Sequence, residues 1–148
     1  MKEIRGNIWD FHKKGHWIVI TTNGTVKSNG EAVMGRGVAL QAKQRFPKLP
    51  GQLGKFLREF VNTVHPFPQY RLITFPVKHN WNETADPALI EESCQRLLGW
   101  FSYDTGLDHF VKEVYMVRPG CGNGGLDWKD VKPVLEKYLD DRFIVVQL

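Results

Sequence analysis

A chain of 148 residues, 42% apolar and 24% charged, has the composition of an ordinary globular domain and enough length to bury a core without metal or disulfide staples. Its longest apolar runs, near Trp17–Ile20 and Phe143–Val146, are too short to span a bilayer, and the start Met-Lys-Glu-Ile-Arg-Gly-Asn lacks the apolar stretch of a signal peptide. The net charge of +4 hides an asymmetry: residues 1–74 hold 12 Lys/Arg against 4 Asp/Glu, and residues 75–148 hold 8 against 12. That points to an anionic partner for surfaces built by the first half, unless folding interleaves the halves. Two cysteines, Cys94 and Cys121, cannot build a disulfide framework and fit a reducing compartment, so the expected address is the cytoplasm.

Taken in chain order, Lys2–Gly6 reads as a short strand. Trp17–Thr22 is a continuous β-branched run, the pattern of a strand buried on both faces. Gly37–Arg45 reads as a helix ended by Phe46-Pro47. Gly51–Asn62 reads as another, with Leu53, Phe56, Leu57, Phe60 and Val61 on one face. His65–Gln69, rich in proline, reads as a loop, and Tyr70–Val77 as a strand. Asp86-Pro87 supplies an N-cap followed by a preorganised first helical residue, and Leu89, Ile90, Leu97, Leu98 and Phe101 carry that helix to about residue 103. Glu113–Arg118 is a strand. Asp127 caps a helix that buries Val131, Val134, Leu135 and Tyr138, and Phe143–Gln147 is a last strand.

There is no repeat or composition break, so residues 1–148 are expected to form a single domain. Strands alternating with helices predict a three-layer α/β/α sandwich with a mixed, largely parallel central sheet. In such sheets ligands collect beyond the carboxyl ends of the strands.

Two glycine-rich segments open predicted helices: Val33-Met-Gly-Arg-Gly-Val-Ala39 and Pro119-Gly-Cys-Gly-Asn-Gly-Gly-Leu-Asp127. Glycines let backbone N–H groups approach a ligand, and helix N-termini add a positive dipole end. Either segment alone reads as a turn; the two together could hold a diphosphate. Neither matches the dinucleotide-binding or P-loop patterns. Lys78 lies just past the carboxyl end of the Tyr70–Val77 strand, where a partly desolvated lysine can act as a nucleophile and where spacing alone gives an exposed lysine.

The histidines, 12, 16, 65, 79 and 109, are scattered. Only His12 and His16 have a ligand-like separation, with no third ligand nearby, so no metal is expected. Cys121 has no histidine in a fixed relation and reads as a small loop residue. Trp17 reads as core and Trp128 as packing at its helix start, whereas Trp81 is placed to touch a substrate.

Gly6-Asn7-Ile8, Val33 through Gln41, Phe75-Pro-Val-Lys-His79 and Gly120 through Trp128 together resemble, in order, the macrodomain family, which binds ADP-ribose. Met34-Gly35-Arg36-Gly37 and the Phe-Pro-x-Lys piece are most similar to the branch of the DNA ADP-ribosyl glycohydrolase antitoxins and terminal ADP-ribose protein glycohydrolases. The resemblance implies that Asn7 replaces an aspartate that receives the adenine amino group, with Ile8 beside the ring. An asparagine oxygen can still accept that bond, without the charge. Met34, Gly35, Arg36, Gly37 and Val38 would wrap the distal ribose and diphosphate, with Arg36 either at phosphate or in solvent. Gly120, Cys121, Gly122, Asn123, Gly124, Gly125 and Leu126 would cover the phosphates from the other side.

A family asparagine near the distal ribose falls on Asn29 when aligned back from Met34 and on Asn23 when aligned forward from Trp17–Thr22, and both remain candidates. Lys78 matches the lysine that attacks or polarises the anomeric carbon of the distal ribose. The protein-directed branch carries an aspartate in the second loop where this chain has Gly124 or Gly125, which points to the DNA-directed style of site. Asp127 is a secondary catalytic candidate whose position its role as helix N-cap already explains.

The resemblance therefore implies an ADP-ribosyl hydrolase that uses Lys78 on ADP-ribosylated DNA or protein, with nucleic acid entering as the modified substrate. A phosphatase for ADP-ribose 1″-phosphate and a non-catalytic ADP-ribose reader are the alternatives. No cofactor and no membrane partner are expected, and the protein is expected to be a monomer.

Overall fold

The computed structural model describes residues 1–102 and 107–148, without the side chains of 108 and 109. The expected end, at residue 103, of the helix that starts at Asp86-Pro87 and the side chain of His109 lie outside the described residues. Within them the strands are β1 (Lys2–Arg5), β2 (Trp17–Asn23), β3 (His65–Phe67), β4 (Leu72–Lys78), β5 (Val114–Met116) and β6 (Phe143–Gln147), in one sheet of order β1-β6-β5-β2-β4-β3. Every neighbouring pair is parallel except β3–β4. The sheet is thus mixed and largely parallel, as its alternating pattern with helices predicts.

The helices are α1 (Ile8–Lys13), α2 (Gly37–Arg45), α3 (Leu49–Glu59), α4 (Pro87–Trp100), α5 (Leu107–Phe110) and α6 (Trp128–Tyr138). They divide between the two sheet faces. Ile18 and Ile20 of β2 pack with Ile8, Val38, Ala42, Leu49 and Leu53 from α1, α2 and α3. Trp17 and Val19 of the same strand pack with Ile90, Cys94, Leu97, Val131 and Leu135 from α4 and α6. A strand whose side chains alternate between two buried faces must be apolar throughout, which is why Trp17–Ile20 is a continuous run. Three layers result. Among the described residues no helix is long and apolar enough to cross a membrane.

Some expected elements shift. The Pro-rich stretch expected as a loop forms β3, an antiparallel edge strand in which Pro66 pairs opposite Ile73. An edge strand has one side that donates to no neighbour, so it tolerates proline. The strand expected from Tyr70 starts at Leu72, because Pro68–Tyr70 is a 3-10 turn and Arg71 takes a left-handed conformation with φ 55°. Arg71 Nη1 fixes that bend by donating to His12 O at 2.7 Å.

Helix α3 begins two residues early, with Pro50 in its first turn, and ends at Glu59. Phe60 and Val61, expected on its apolar face, are therefore exposed (63% and 67%). The strand expected over Glu113–Arg118 contracts to Val114–Met116. Helices α1 and α5, of six and four residues, are too short for an apolar period to reveal.

Candidate active site

A cleft of about 1160 Å³ opens beyond the carboxyl ends of β1, β2, β4, β5 and β6. It exceeds the roughly 300–1,000 Å³ of ordinary small-molecule pockets, and it lies at the edge where a parallel sheet gathers its ligands.

Strand β2 delivers Asn23 to this edge. Its Nδ2 donates to Val33 O at 3.1 Å and its Oδ1 accepts from Thr25 N at 3.0 Å, so Asn23 ties the strand end to the first glycine segment and lines the cleft. Asn29 instead closes a surface turn on Glu31, with bonds of 2.9 and 3.0 Å, and stands outside the cleft wall. Met34, Gly35, Arg36, Gly37 and Val38 all line the cleft. Met34 and Val38 are buried beneath it, whereas Gly35, Arg36 and Gly37 face solvent. Gly37 opens α2 at φ +58°, a conformation that costs a β-carbon residue roughly 1–2 kcal/mol. Arg36 occupies the N-cap position without a side-chain cap bond, so the first N–H groups of α2 front the cleft with no side chain on them.

Strand β4 delivers Lys78. The register between β2 and β4 passes from Thr22–Pro76 to Asn23–Lys78, leaving Val77 without a partner. Such an irregularity re-aims the side chains after it. Val77 is buried, and Lys78 Nζ donates to Asn123 O at 3.2 Å in the second glycine loop and to Trp81 O at 3.4 Å. The lysine thus bridges the strand end to the opposite wall. A β-carbon on Gly37 would come within 3.5 Å of Asn123 Nδ2, so the two glycine segments also meet there.

The loop carrying Lys78 is held on several sides. Asn62 Nδ2 donates to Lys78 O, Gly24 N donates to His79 O, and Trp81 N donates to Thr25 Oγ1. His79 pairs with Asp86 at 2.8 Å, a bond that, with the Ala88 N–H on the capping oxygen, holds the Asp86 carboxyl below its ordinary range. The Trp81 ring is left 55% exposed on the cleft wall.

The second glycine loop needs its glycines. Gly120 sits at φ +78°, and a β-carbon there would meet Ile90 Cδ1 at 2.6 Å and Ala85 Cβ at 3.2 Å. Gly120 through Gly125 line the cleft. Leu126 does not: it packs against the core on the α4–α6 side of the sheet. Asp127 stands at the N-cap of α6 but makes no side-chain cap bond, so capping does not account for its carboxylate, and it lies exposed outside the cleft wall. The Cys121 thiol is pushed up, by burial first and by the Asp127 carboxylate, with Arg118 opposing, so it stays protonated at neutral pH.

At the far end of the cleft, Asn7 caps α1, its Oδ1 accepting from Trp9 N at 3.0 Å, and Ile8 is buried next to it. Arg118, two residues past β5, and Gln147, at the end of β6, join this wall with Arg118 Nη2 donating to Gln147 Oε1 at 2.7 Å. Sequence reasoning passed over both, although each ends a predicted strand and the rule that singles out Lys78 applies equally to them. The cleft lining carries Arg36, Lys78 and Arg118 against the carboxylate of Glu83, a positive balance suited to an anion.

The buried His12 is structural, donating to Tyr70 O at 2.7 Å. No cluster of three potential metal ligands occurs among the described residues.

No family model matches the sequence. The chain is 28% identical to a DNA ADP-ribosyl glycohydrolase of Thermus aquaticus, over 95% of this chain and 38% of that protein, and 29% identical to one of Mycobacterium bovis, over 70% and 31%. It therefore spans under two-fifths of the curated relatives it matches. Among solved structures, the macrodomain of Thermus aquaticus DarG superposes with a TM-score of 0.75 at 26% identity, covering 99% of this chain and 97% of that one. Thermosipho africanus DarTG in complex with ADP-ribose gives 0.76 at 19% identity, covering 99% and 41%. The chain has the macrodomain fold, and its likeness in sequence and structure is to the DarG macrodomains.

Proposed function

We propose that this chain is an ADP-ribose-binding macrodomain that removes ADP-ribose from a modified macromolecule, with ADP-ribosylated DNA as the substrate class and Lys78 as the catalytic residue. The observation that carries the reading is Lys78 Nζ reaching across the cleft to the glycine loop at Asn123, inside a cleft fronted by the uncapped start of α2. The names of the relatives, DNA ADP-ribosyl glycohydrolase, support the reaction and the substrate class. The diphosphate rests between the two glycine segments, where N–H groups and a helix dipole favour negative charge. That leaves the distal ribose beside Lys78, which attacks or polarises its anomeric carbon; the bond to the macromolecule breaks, water supplies the oxygen that ends on the anomeric carbon, and its proton leaves with the macromolecule.

The second loop is glycine at 124 and 125, where a protein-directed site carries an acid, and this favours DNA over protein. A single macrodomain over residues 1–148, acting as a monomer in the cytoplasm without a cofactor, belongs to the same reading.

The test offers ADP-ribosylated single-stranded DNA, ADP-ribosylated protein and ADP-ribose 1″-phosphate to the native chain. Release of ADP-ribose from DNA is expected. Release from protein alone would move the substrate class, loss of phosphate alone would make the chain a phosphatase, and binding without turnover of any of the three would make it a reader.

A further inference from the structure

Beyond β4 the sheet has only β3, whereas β2, β5, β6 and β1 lie on its other side. At about 4.8 Å per strand, the end of β1 stands roughly 19 Å from Lys78 along the sheet edge. An ADP-ribose with its distal ribose at Lys78 therefore runs back along the glycine segments toward β1. The macromolecule leaves the anomeric carbon on the other side, where the loop after β4 stands.

That loop presents Trp81. Its carbonyl oxygen accepts from Lys78 Nζ at 3.4 Å and its N–H donates to Thr25 Oγ1 at 3.0 Å, so main-chain bonds fix this residue beside the Lys78 amine. Of the exposed aromatic rings among the described residues, Phe60, Trp81 and Phe110, only that of Trp81 lines the cleft. The other four tryptophans are engaged. Trp9 Nε1 donates to Gln41 and Trp128 Nε1 to Glu3, while the rings of Trp17 and Trp100 lie against Phe110 and His65. The Trp81 ring has no stacking or hydrogen-bonding partner among the described residues. A single exposed ring is ordinary on a protein surface. One whose main chain is pinned beside the reacting lysine is placed for a ligand.

A π-face at that point discriminates between leaving groups. A nucleobase stacks on it with about 1–3 kcal/mol, whichever base it is, whereas a carboxylate or phosphate linkage offers no flat ring. We infer, on the reading of the cleft as an ADP-ribosyl hydrolase site, that the Trp81 ring is its leaving-group subsite. It stacks the nucleobase that carries ADP-ribose in single-stranded DNA and so sets the anomeric carbon at Lys78 Nζ. Free ADP-ribose has no such base and does not use the ring.

Initial rates on ADP-ribosylated single-stranded DNA, with calorimetric titration of free ADP-ribose, compare the native chain with Trp81→Ala, Trp81→Leu and Trp81→Phe. All three variants keep the main-chain bonds to Lys78 and Thr25. Trp81→Ala and Trp81→Leu are expected to lower kcat/KM about tenfold, in the lower half of the range for one stacked base, with the dissociation constant of ADP-ribose within about twofold of native. Trp81→Phe keeps a π-face and should stay within about threefold of the native kcat/KM. A native kcat/KM in Trp81→Ala overturns the inference, as does equal retention in Trp81→Leu and Trp81→Phe. An ADP-ribose affinity that falls in step with turnover overturns it too, and in each of these cases the proposed function stands. If the native chain releases nothing from the DNA, the proposed function falls and this inference falls with it.

Discussion

At the scale of single residues, the site rests on positions where one atom decides the outcome. Gly120 is the clearest. A side chain there would need φ near +78° and would press a methyl into Ile90 and Ala85. Gly120→Ala is expected to cost roughly 1–3 kcal/mol of stability in a denaturant titration, and to weaken ADP-ribose binding because the loop carrying Asn123 moves with it. Arg36 is different in kind. It is exposed, lines the cleft, and its side chain makes no hydrogen bond or ion pair among the described residues, so its removal should leave the fold intact. Arg36→Ala is expected to weaken ADP-ribose binding about tenfold, the lower end for a charge-assisted hydrogen bond. An unchanged dissociation constant would return Arg36 to the role of a solvated loop residue.

At the scale of elements, most of the sheet is legible in the sequence, its edge strand β1 included, and the other edge, β3, is not. The runs Trp17–Thr22 and Phe143–Gln147 could be read because strands buried on both faces must be apolar at every position. The helix Gly37–Arg45 was readable from Phe46-Pro47, which stops it. β3 and α1 escaped because three and six residues carry no usable period, and because β3 contains proline, which reads as loop wherever the edge position is not known. The site followed the same division. Lys78 and the glycine segments could be read from strand ends and backbone freedom. The choice between Asn23 and Asn29 could not, because both sit in Asn-Gly turns, and only the hydrogen bonds of Asn23 to Val33 and Thr25 set it at the cleft. Asp127 was read as a cap, yet its side chain caps nothing. The packing of α4 carries its own expectation. Leu97 is fully buried against the sheet face that α6 also covers, so Leu97→Ala should cost about 2–5 kcal/mol in chemical unfolding. A loss under 1 kcal/mol would mean that α4 can collapse onto the gap.

For the molecule as a whole, the charge asymmetry between halves of the sequence turns out to be a poor guide. The sheet order interleaves the halves, and the cations of the cleft, Arg36, Lys78 and Arg118, come from both. What matters is their convergence with one carboxylate on a single edge. The dependence of stability on pH is also a property of the whole fold. Burial lowers the pKa of His12 and of His65, so the unfolded chain binds more protons than the native one just below the ordinary histidine value of about 6.5. Stability should therefore be complete above about pH 7 and fall as pH drops through that value toward the lowered native ones. His65→Phe keeps the stack on Phe56, whose ring centroid lies 4.1 Å away, and should make the decline shallower. A further loss is expected below about pH 4, where Asp86 and Asp140, both lowered by hydrogen bonds to His79 and Arg142, take up protons. A melting temperature that rises as pH falls from 7 to 5 would contradict this account.

The reading as an ADP-ribosyl hydrolase is tested most directly by separating binding from turnover at Lys78. Saturating ADP-ribose, at a hundred times its dissociation constant, should stabilise the native fold by about 2.7 kcal/mol, or roughly 5–10 °C in melting temperature. Lys78→Ala should keep most of that shift while releasing ADP-ribose from ADP-ribosylated single-stranded DNA at least about a hundredfold more slowly than the native chain. Equal rates of release from the native chain and Lys78→Ala, with the melting shift intact in both, would contradict the assignment of Lys78.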